Sequence, residues 1–128
     1  MRIKCNNIIS PITKEEMGDK SPWLTKDREY VVLALEINDK RGIDVCIQTD
    51  HYNEPSFIPL DGFEVVSQKI PLSWITVVNN IEDRKFLTML PKSWNYNSFF
   101  EDLDDENLDA IALFNKEVEL IYKAEGMA

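Results

Sequence analysis

Apolar positions follow one rhythm up to about residue 97 and another beyond it. In the first stretch they alternate with polar neighbours or form short runs between turn residues. Ile3 and Cys5 mark one short strand. A loop follows, carrying Ile8-Ile9 and Ile12 and punctuated by Gly18 and Pro22, and Trp23-Leu24 is expected to tuck back onto the core. Tyr30 to Ile37 is β-branched and apolar, of strand length. Asn38-Asp39-Lys40-Arg41-Gly42 is turn chemistry: Asn and Asp bond their own backbone, and Gly supplies positive φ. Ile43, Val45 and Ile47 then alternate with Asp44, Cys46 and Gln48, a period of two that predicts a half-buried strand. Asp50 to Pro55 reads as the next turn. Phe57-Ile58, Phe63 to Val66, Ile75 to Val78 and Phe86 to Leu90 read as further strands, with Pro59 and Asp61-Gly62 between the first two. Strands recurring every ~8–12 residues with turn signals between them predict a small antiparallel sandwich or barrel.

Beyond residue 97 the period becomes helical. Ser98-x-x-Glu101 has capping-box spacing. From Asp104 no Gly or Pro occurs until Gly126. Leu108, Ile111, Phe114, Val118, Ile121 and Tyr122 fall on one face of a helix of roughly five turns. Asp104, Asp105 and Glu106 are expected in its first turn, where the macrodipole favours negative charge, and Gly126 at its end. Leu113 and Leu120 lie off the stripe, either exposed or packed under the N-terminal arm. The expectation is an α+β single domain over 1–128: an N-terminal strand and arm at 1–23, a small antiparallel β-barrel or sandwich at 24–97, and an acidic region at 98–126 built on one long amphipathic helix.

Pro71-Leu72-Ser73-Trp74 and Pro91-Lys92-Ser93-Trp94 share Pro-x-Ser-Trp at a spacing of 20. Two copies do not make a repeat architecture. Each Pro is expected to end a strand and each Trp to plug the core at a corner. A domain of this size needs most of its three Trp, six Phe and four Tyr for packing, so every aromatic is read as core first.

Charge sharpens the picture. The chain carries 14 Lys+Arg against 23 Asp+Glu, a net of -9. That balance argues against a nucleic-acid binder, which needs excess cations for phosphates. Residues 98–128 alone hold nine acids and two bases. Six of the acids are Glu101, Asp102, Asp104, Asp105, Glu106 and Asp109. They serve either as helix capping on a solvated face or as a negative surface for a basic partner. Capping needs only one or two of them, and the rest repel one another. Tyr96, Phe99 and Phe100 beside them are candidate aromatic anchors. Asp105-x-Asn107-x-Asp109 begins like a calcium-binding loop, but Ala110 and Lys116 stand where such a loop needs Gly and Glu.

No catalytic constellation emerges. GxSxG, HExxH and Ser-x-x-Lys are absent, and the four glycines lie far apart, so no phosphate-cradling loop can form. The single histidine, His51, sits in a turn, and Cys46 is mid-strand; with Asp50 they are the remaining enzymatic possibility. Two cysteines without CxxC spacing give neither a zinc knuckle nor a disulfide scaffold. The longest apolar run, Tyr30 to Leu35, is far short of the ~20 residues of a membrane span, and the polar start at Arg2 to Asn7 is unlike a signal peptide. The expectation is a non-catalytic, cytoplasmic protein with no metal or cofactor, no nucleic-acid or membrane partner, and a basic protein as partner.

Leu24-Thr25-Lys26-Asp27-Arg28-Glu29-Tyr30 and Val31-Val32-Leu33, then Val45 to Asp50, Phe57 to Leu60 and Phe63-Glu64-Val65-Val66, resemble the core of small bacterial SH3-like barrels. Asp27-Arg28 stands where that family usually has a Gly before Lys or Glu. The remainder, from Trp74 through the Phe-Phe-Glu-Asp ending, resembles small bacterial immunity proteins of contact-dependent or polymorphic toxin systems. That resemblance implies an inhibitor that blocks the basic cleft of a toxin, often a nuclease. The barrel resemblance alone implies a peptide-binding or regulatory module, with Tyr52, Trp74 and Trp94 as candidate contacts.

Overall fold

A computed structural model describes residues 1–10, 12–18, 21–40 and 42–127. Among these, eight strands form two antiparallel sheets, followed by helices: β1 (Arg2–Cys5), β2 (Glu29–Val31), β3 (Ala34–Asn38), β4 (Gly42–Gln48), β5 (Pro55–Pro59), β6 (Phe63–Ser67), β7 (Trp74–Ile81), β8 (Arg84–Pro91), a 3-10 turn at Lys92–Trp94, α1 (Phe99–Asp104) and α2 (Leu108–Ala124). The small sheet has the order β2-β1-β6 and the large one β5-β4-β3-β8-β7.

The expected strand at Tyr30–Ile37 is two strands. The chain turns a corner at Val32-Leu33, so that β2 belongs to the small sheet and β3 to the large one. Such sheet-switching strands make the corners of orthogonally packed sheets. Both corner residues are fully buried, and their amides are satisfied: Val32 N donates to Met1 O at 2.9 Å and Leu33 N to Cys46 O at 2.8 Å. Hydropathy alone cannot mark this bend, because apolar side chains are needed on both sides of it.

Alternation along the large sheet divides the core in two. Ala34, Cys46 and Leu90 face the helices and pack with Trp94, Phe99, Phe114 and Ile121. Leu35, Val45 and Ile47 point to the other face and pack with Ile3, Cys5, Ile8, Tyr30 and Trp74. Strand β4 is therefore buried on both faces from Asp44 to Ile47, not half-buried as its alternation suggested. On the face away from the helices a row of apolar residues, Ile43, Ile37, Leu87 and Val78, crosses four strands by direct pairing. Ile43, Ile37 and Val78 of this row are exposed.

The turns follow the expected sites. Arg41, part of the turn expected between β3 and β4, lies outside the described residues. Asp27, where the resembling barrels carry Gly nearby, adopts a left-handed φ of 68°. Gly62 needs its missing side chain for two reasons: its φ is +82°, and a Cβ there would collide with Asn7 O. Its own carbonyl accepts from Asn6 N and Asn7 N, locking the N-terminal loop to the β5–β6 turn. Trp23 does not tuck in as expected and is 53% exposed, whereas Leu24 packs on the core.

The two Pro-x-Ser-Trp copies sit side by side. Trp74 pairs with Pro91 across β7–β8, and Lys92 N donates to Ser73 O at 2.8 Å. Both tryptophans are buried and Pro91 ends β8, as expected. Pro71, however, follows β6 by several residues and leads into β7.

The single long helix expected at the C-terminus is two helices. α1 ends at Asp104, Glu106 takes a left-handed φ of 59°, and α2 starts afresh with Asn107 as its cap, whose side chain accepts from Ala110 N at 3.1 Å. Asn107 is the residue type that competes for its own backbone and so favours this cap. Asp104, Asp105 and Glu106 therefore precede α2, and only Asp109 lies in its first turn. The buried face of α2 is Ala110, Phe114, Glu117 and Ile121; Leu108 is 82% exposed. Leu113 packs against the core, and Leu120 is exposed. The helix stops in a Schellman motif: Gly126, at φ +73°, donates to Lys123 O, and Met127 N donates to Tyr122 O, both at 2.9 Å.

Candidate functional site: an acidic corner between two helices

The acidic residues lie on α1, on the turn after it, and on the start of α2. The aromatic residues around them hold this corner on the sheet. Trp94 stacks on Phe99 and on Phe114, each with ring centroids 5.2 Å apart, and its indole N–H donates to Leu113 O at 3.3 Å. Phe100 reaches across to Phe57 of β5 at 5.4 Å, edge to face. Edge-to-face and offset-stacked pairs are the favoured aromatic geometries. The corner is thus built on a fixed platform.

This platform changes the expected anchor set. Phe99 is 1% exposed, so it is core and offers nothing to a partner; a residue at the start of a short helix against Trp94 has nowhere else to go. Phe100 is half-buried between Phe57 and Trp94. Tyr96 alone of the three is exposed, at 40%. Its phenol is raised above the ordinary range, by desolvation first and then by the carboxylates of Asp102 and Asp109. The fold therefore brings Tyr96 within electrostatic reach of two acids that lie six and thirteen positions away in sequence.

Glu101, Asp104, Asp105, Glu106 and Asp109 are exposed, and Asp102 is half-buried. The expected capping box does not form. Ser98 makes no cap bond, and its hydroxyl lies 3.2 Å from Asp102 Oδ2 instead. Among the described residues none of the six acids forms an ion pair. Such pairs occur elsewhere, as at Arg2–Glu29, Lys14–Asp61, Arg28–Asp50 and Lys123–Glu119. The described residues also contain no group of three His, Cys, Asp or Glu side chains placed to hold a metal. No described helix is long and apolar enough to cross a membrane.

The residues weighed for other chemistry are dispersed. Cys46 is fully buried on the helix-facing side of the sheet, and burial pushes its thiol up to about 12, which leaves no thiolate for nucleophilic work near neutral pH. His51 is exposed and packs edge to face on Tyr52 at 4.6 Å. Asp50 is occupied: Thr25 Oγ1 donates to it at 2.7 Å, Arg28 at 2.6 Å and the Tyr30 hydroxyl at 3.0 Å. Trp74 and Trp94, candidate contacts of a peptide groove, are 8% and 1% exposed. Tyr52, the third, is 85% exposed at the β4–β5 turn.

Reading the sequence named Ile12 and Trp23 in the N-terminal loop but missed Met17, the exposure of all three, and the Asp50 network. Ile12, Met17 and Trp23 are all exposed there. Their signal was present: large apolar residues recurring in a segment otherwise polar. No known protein-family model, curated protein or solved structure matches the chain.

Proposed function

We propose that this chain is a non-catalytic, cytoplasmic binding protein of the immunity or inhibitor kind, which neutralises a basic toxin domain, in the first instance a nuclease. The α1–α2 corner would sit in the toxin's cleft where nucleic-acid phosphates bind. One observation carries this reading: six carboxylates, Glu101 to Asp109, crowd one corner, and among the described residues none of them is ion-paired. Uncompensated like charge costs the isolated domain and is recovered only against a positive surface. Tyr96, exposed among these acids, supplies the aromatic contact. The SH3-like barrel belongs to the same proposal. What supports it is the bent segment Glu29–Asn38, shared by both sheets, followed by the β3-β4-β5 meander and a β6 that returns to β1.

The test is titration of a purified basic nuclease-toxin domain at low and high salt, with wild type and with a variant carrying Asp104→Asn, Asp105→Asn, Glu106→Gln and Asp109→Asn. Wild type binds and inhibits, salt weakens it, and the variant binds at least tenfold more weakly while keeping its fold. Equal binding by the variant would sink the charge-based reading. The rival is a peptide-binding barrel module, favoured by one observation, the 85% exposure of Tyr52 at a hairpin tip. It predicts that Tyr52→Ala abolishes binding and that the neutralised variant binds normally.

A further inference from the structure

We infer that the cavity between the N-terminal loop and β5 binds a small uncharged molecule with an apolar body and one hydrogen-bonding group. This site is separate from the acidic corner and does not depend on the toxin reading.

The cavity measures about 490 Å³, inside the roughly 300–1,000 Å³ usual for small-molecule sites. One wall is sheet, with Ile58 of β5 and Phe63 of β6. The other is loop, with Ile12, Met17 and Trp23, which stand 89%, 52% and 53% exposed. Three large apolar side chains gathered on one concave wall and left in water mark a surface that gains by being covered. The loop is held by its own bonds. Ser10 Oγ accepts from Ile12 N and Thr13 N, Met17 N donates to Ile8 O at 2.7 Å, and Trp23 O accepts from Asp50 N at 2.8 Å. The wall is thus preformed, which lowers the ordering cost of binding.

The polar groups set the ligand's chemistry. Thr49 lines the cavity at 2% exposure; its hydroxyl is without a partner among the described residues but is closed to a water-sized group, so a ligand's polar group meets the serine hydroxyls of the lining instead. The other uncharged polar lining groups are also hydroxyls, among them Ser10 and Ser56. Among the described residues the only charged ones are Lys14 and Asp61, both 64% exposed at the rim and 4.0 Å apart. Their charges offset each other, so among the described residues nothing in the cavity compensates the desolvation of an ion. An uncharged ligand fits and an ionic one does not.

Two dyes with the same skeleton test this on the full chain. N-phenyl-1-naphthylamine is neutral and has one N–H; 8-anilinonaphthalene-1-sulfonate adds a sulfonate. The neutral dye is expected to bind saturably at one site, with fluorescence enhancement, and the sulfonate at least tenfold more weakly. Ser56→Phe, which fills the cavity, and Ile12→Asp, which charges its mouth at a solvent-exposed position, should each weaken the neutral dye at least tenfold with the circular dichroism spectrum unchanged. Because Ile12 is exposed, its variant folds even where Ser56→Phe does not. Equal affinity for both dyes, non-saturable binding, or binding indifferent to both variants, as on the open row Ile43–Ile37–Leu87–Val78, would overturn the inference.

Discussion

The Tyr30 hydroxyl donates to Asp50 Oδ1 at 3.0 Å and itself accepts from Thr25 N at 2.9 Å, so one phenol joins β2, the turn before it and the β4–β5 turn. Asp50 gathers two more donors, Thr25 Oγ1 and Arg28. Hydrogen bonds to a charged group contribute about 1.5–3 kcal/mol each, while the exposed Arg28 adds little. Asp50→Ala should lower the unfolding free energy by about 2–4 kcal/mol and Tyr30→Phe by about 1.5–3 kcal/mol, read from urea midpoints. A loss below ~0.5 kcal/mol for Asp50→Ala would mean that water replaces the network freely.

Alkaline pH should destabilise the fold. Burial raises the Cys46 thiol from 9.0 to about 12, and burial first, then the Asp50 contact, raises the Tyr30 phenol from 10.0 to about 12. The unfolded chain then loses these protons at lower pH than the folded one. Stability is full below pH 9 and falls as pH rises from 9 toward 12, at up to about 1.4 kcal/mol per pH unit for a fully buried group. Urea midpoints across that range check the slope. Cys46→Ala should flatten it from pH 9, and Tyr30→Phe only above pH 10.

Two glycine substitutions separate space from backbone strain. Gly42→Ala meets open space at φ +87° and should cost about 1–2 kcal/mol. Gly62→Ala has the same strain and also drives a Cβ into Asn7 O and Ile9, so roughly 3 kcal/mol or more is expected. Thermal midpoints of the pair decide this; equal shifts would show that the N-terminal loop simply moves away.

The aromatic platform should behave as core. Trp94→Ala and Phe99→Ala should each cost about 3–5 kcal/mol, because the stacked neighbours cannot close the space. Tyr96→Ala should stay within ~1 kcal/mol while weakening any partner of the acidic corner. A Phe99→Ala protein of native stability that failed to bind would restore Phe99 as a contact.

The fold was legible where one signal governs one element. Period-two stretches and turn residues place β4, β5, β6, β7 and β8, and Gly126 marks the stop of α2. It was illegible where two signals compete. Ser98-x-x-Glu101 has the spacing of a capping box, but Ser98 faces Asp102. Asn107 reads in the sequence only as a calcium-loop position, yet its cap bond to Ala110 starts a second helix where one was expected. The acidic residues were legible as a cluster because all lie within nine positions. Phe99 was misjudged because hydropathy cannot tell a buried aromatic from an exposed one.

Local chemistry, carried by the residues themselves, determined the antiparallel strands, the turns, the helical ending and the uneven charge. Only the folded chain decided the bend at Val32-Leu33, the burial of Phe99, the exposure of Tyr96 beside Asp102 and Asp109, and the cavity under the N-terminal loop. Each of these depends on which distant surfaces meet, and contacts between distant segments leave no periodic mark in the sequence.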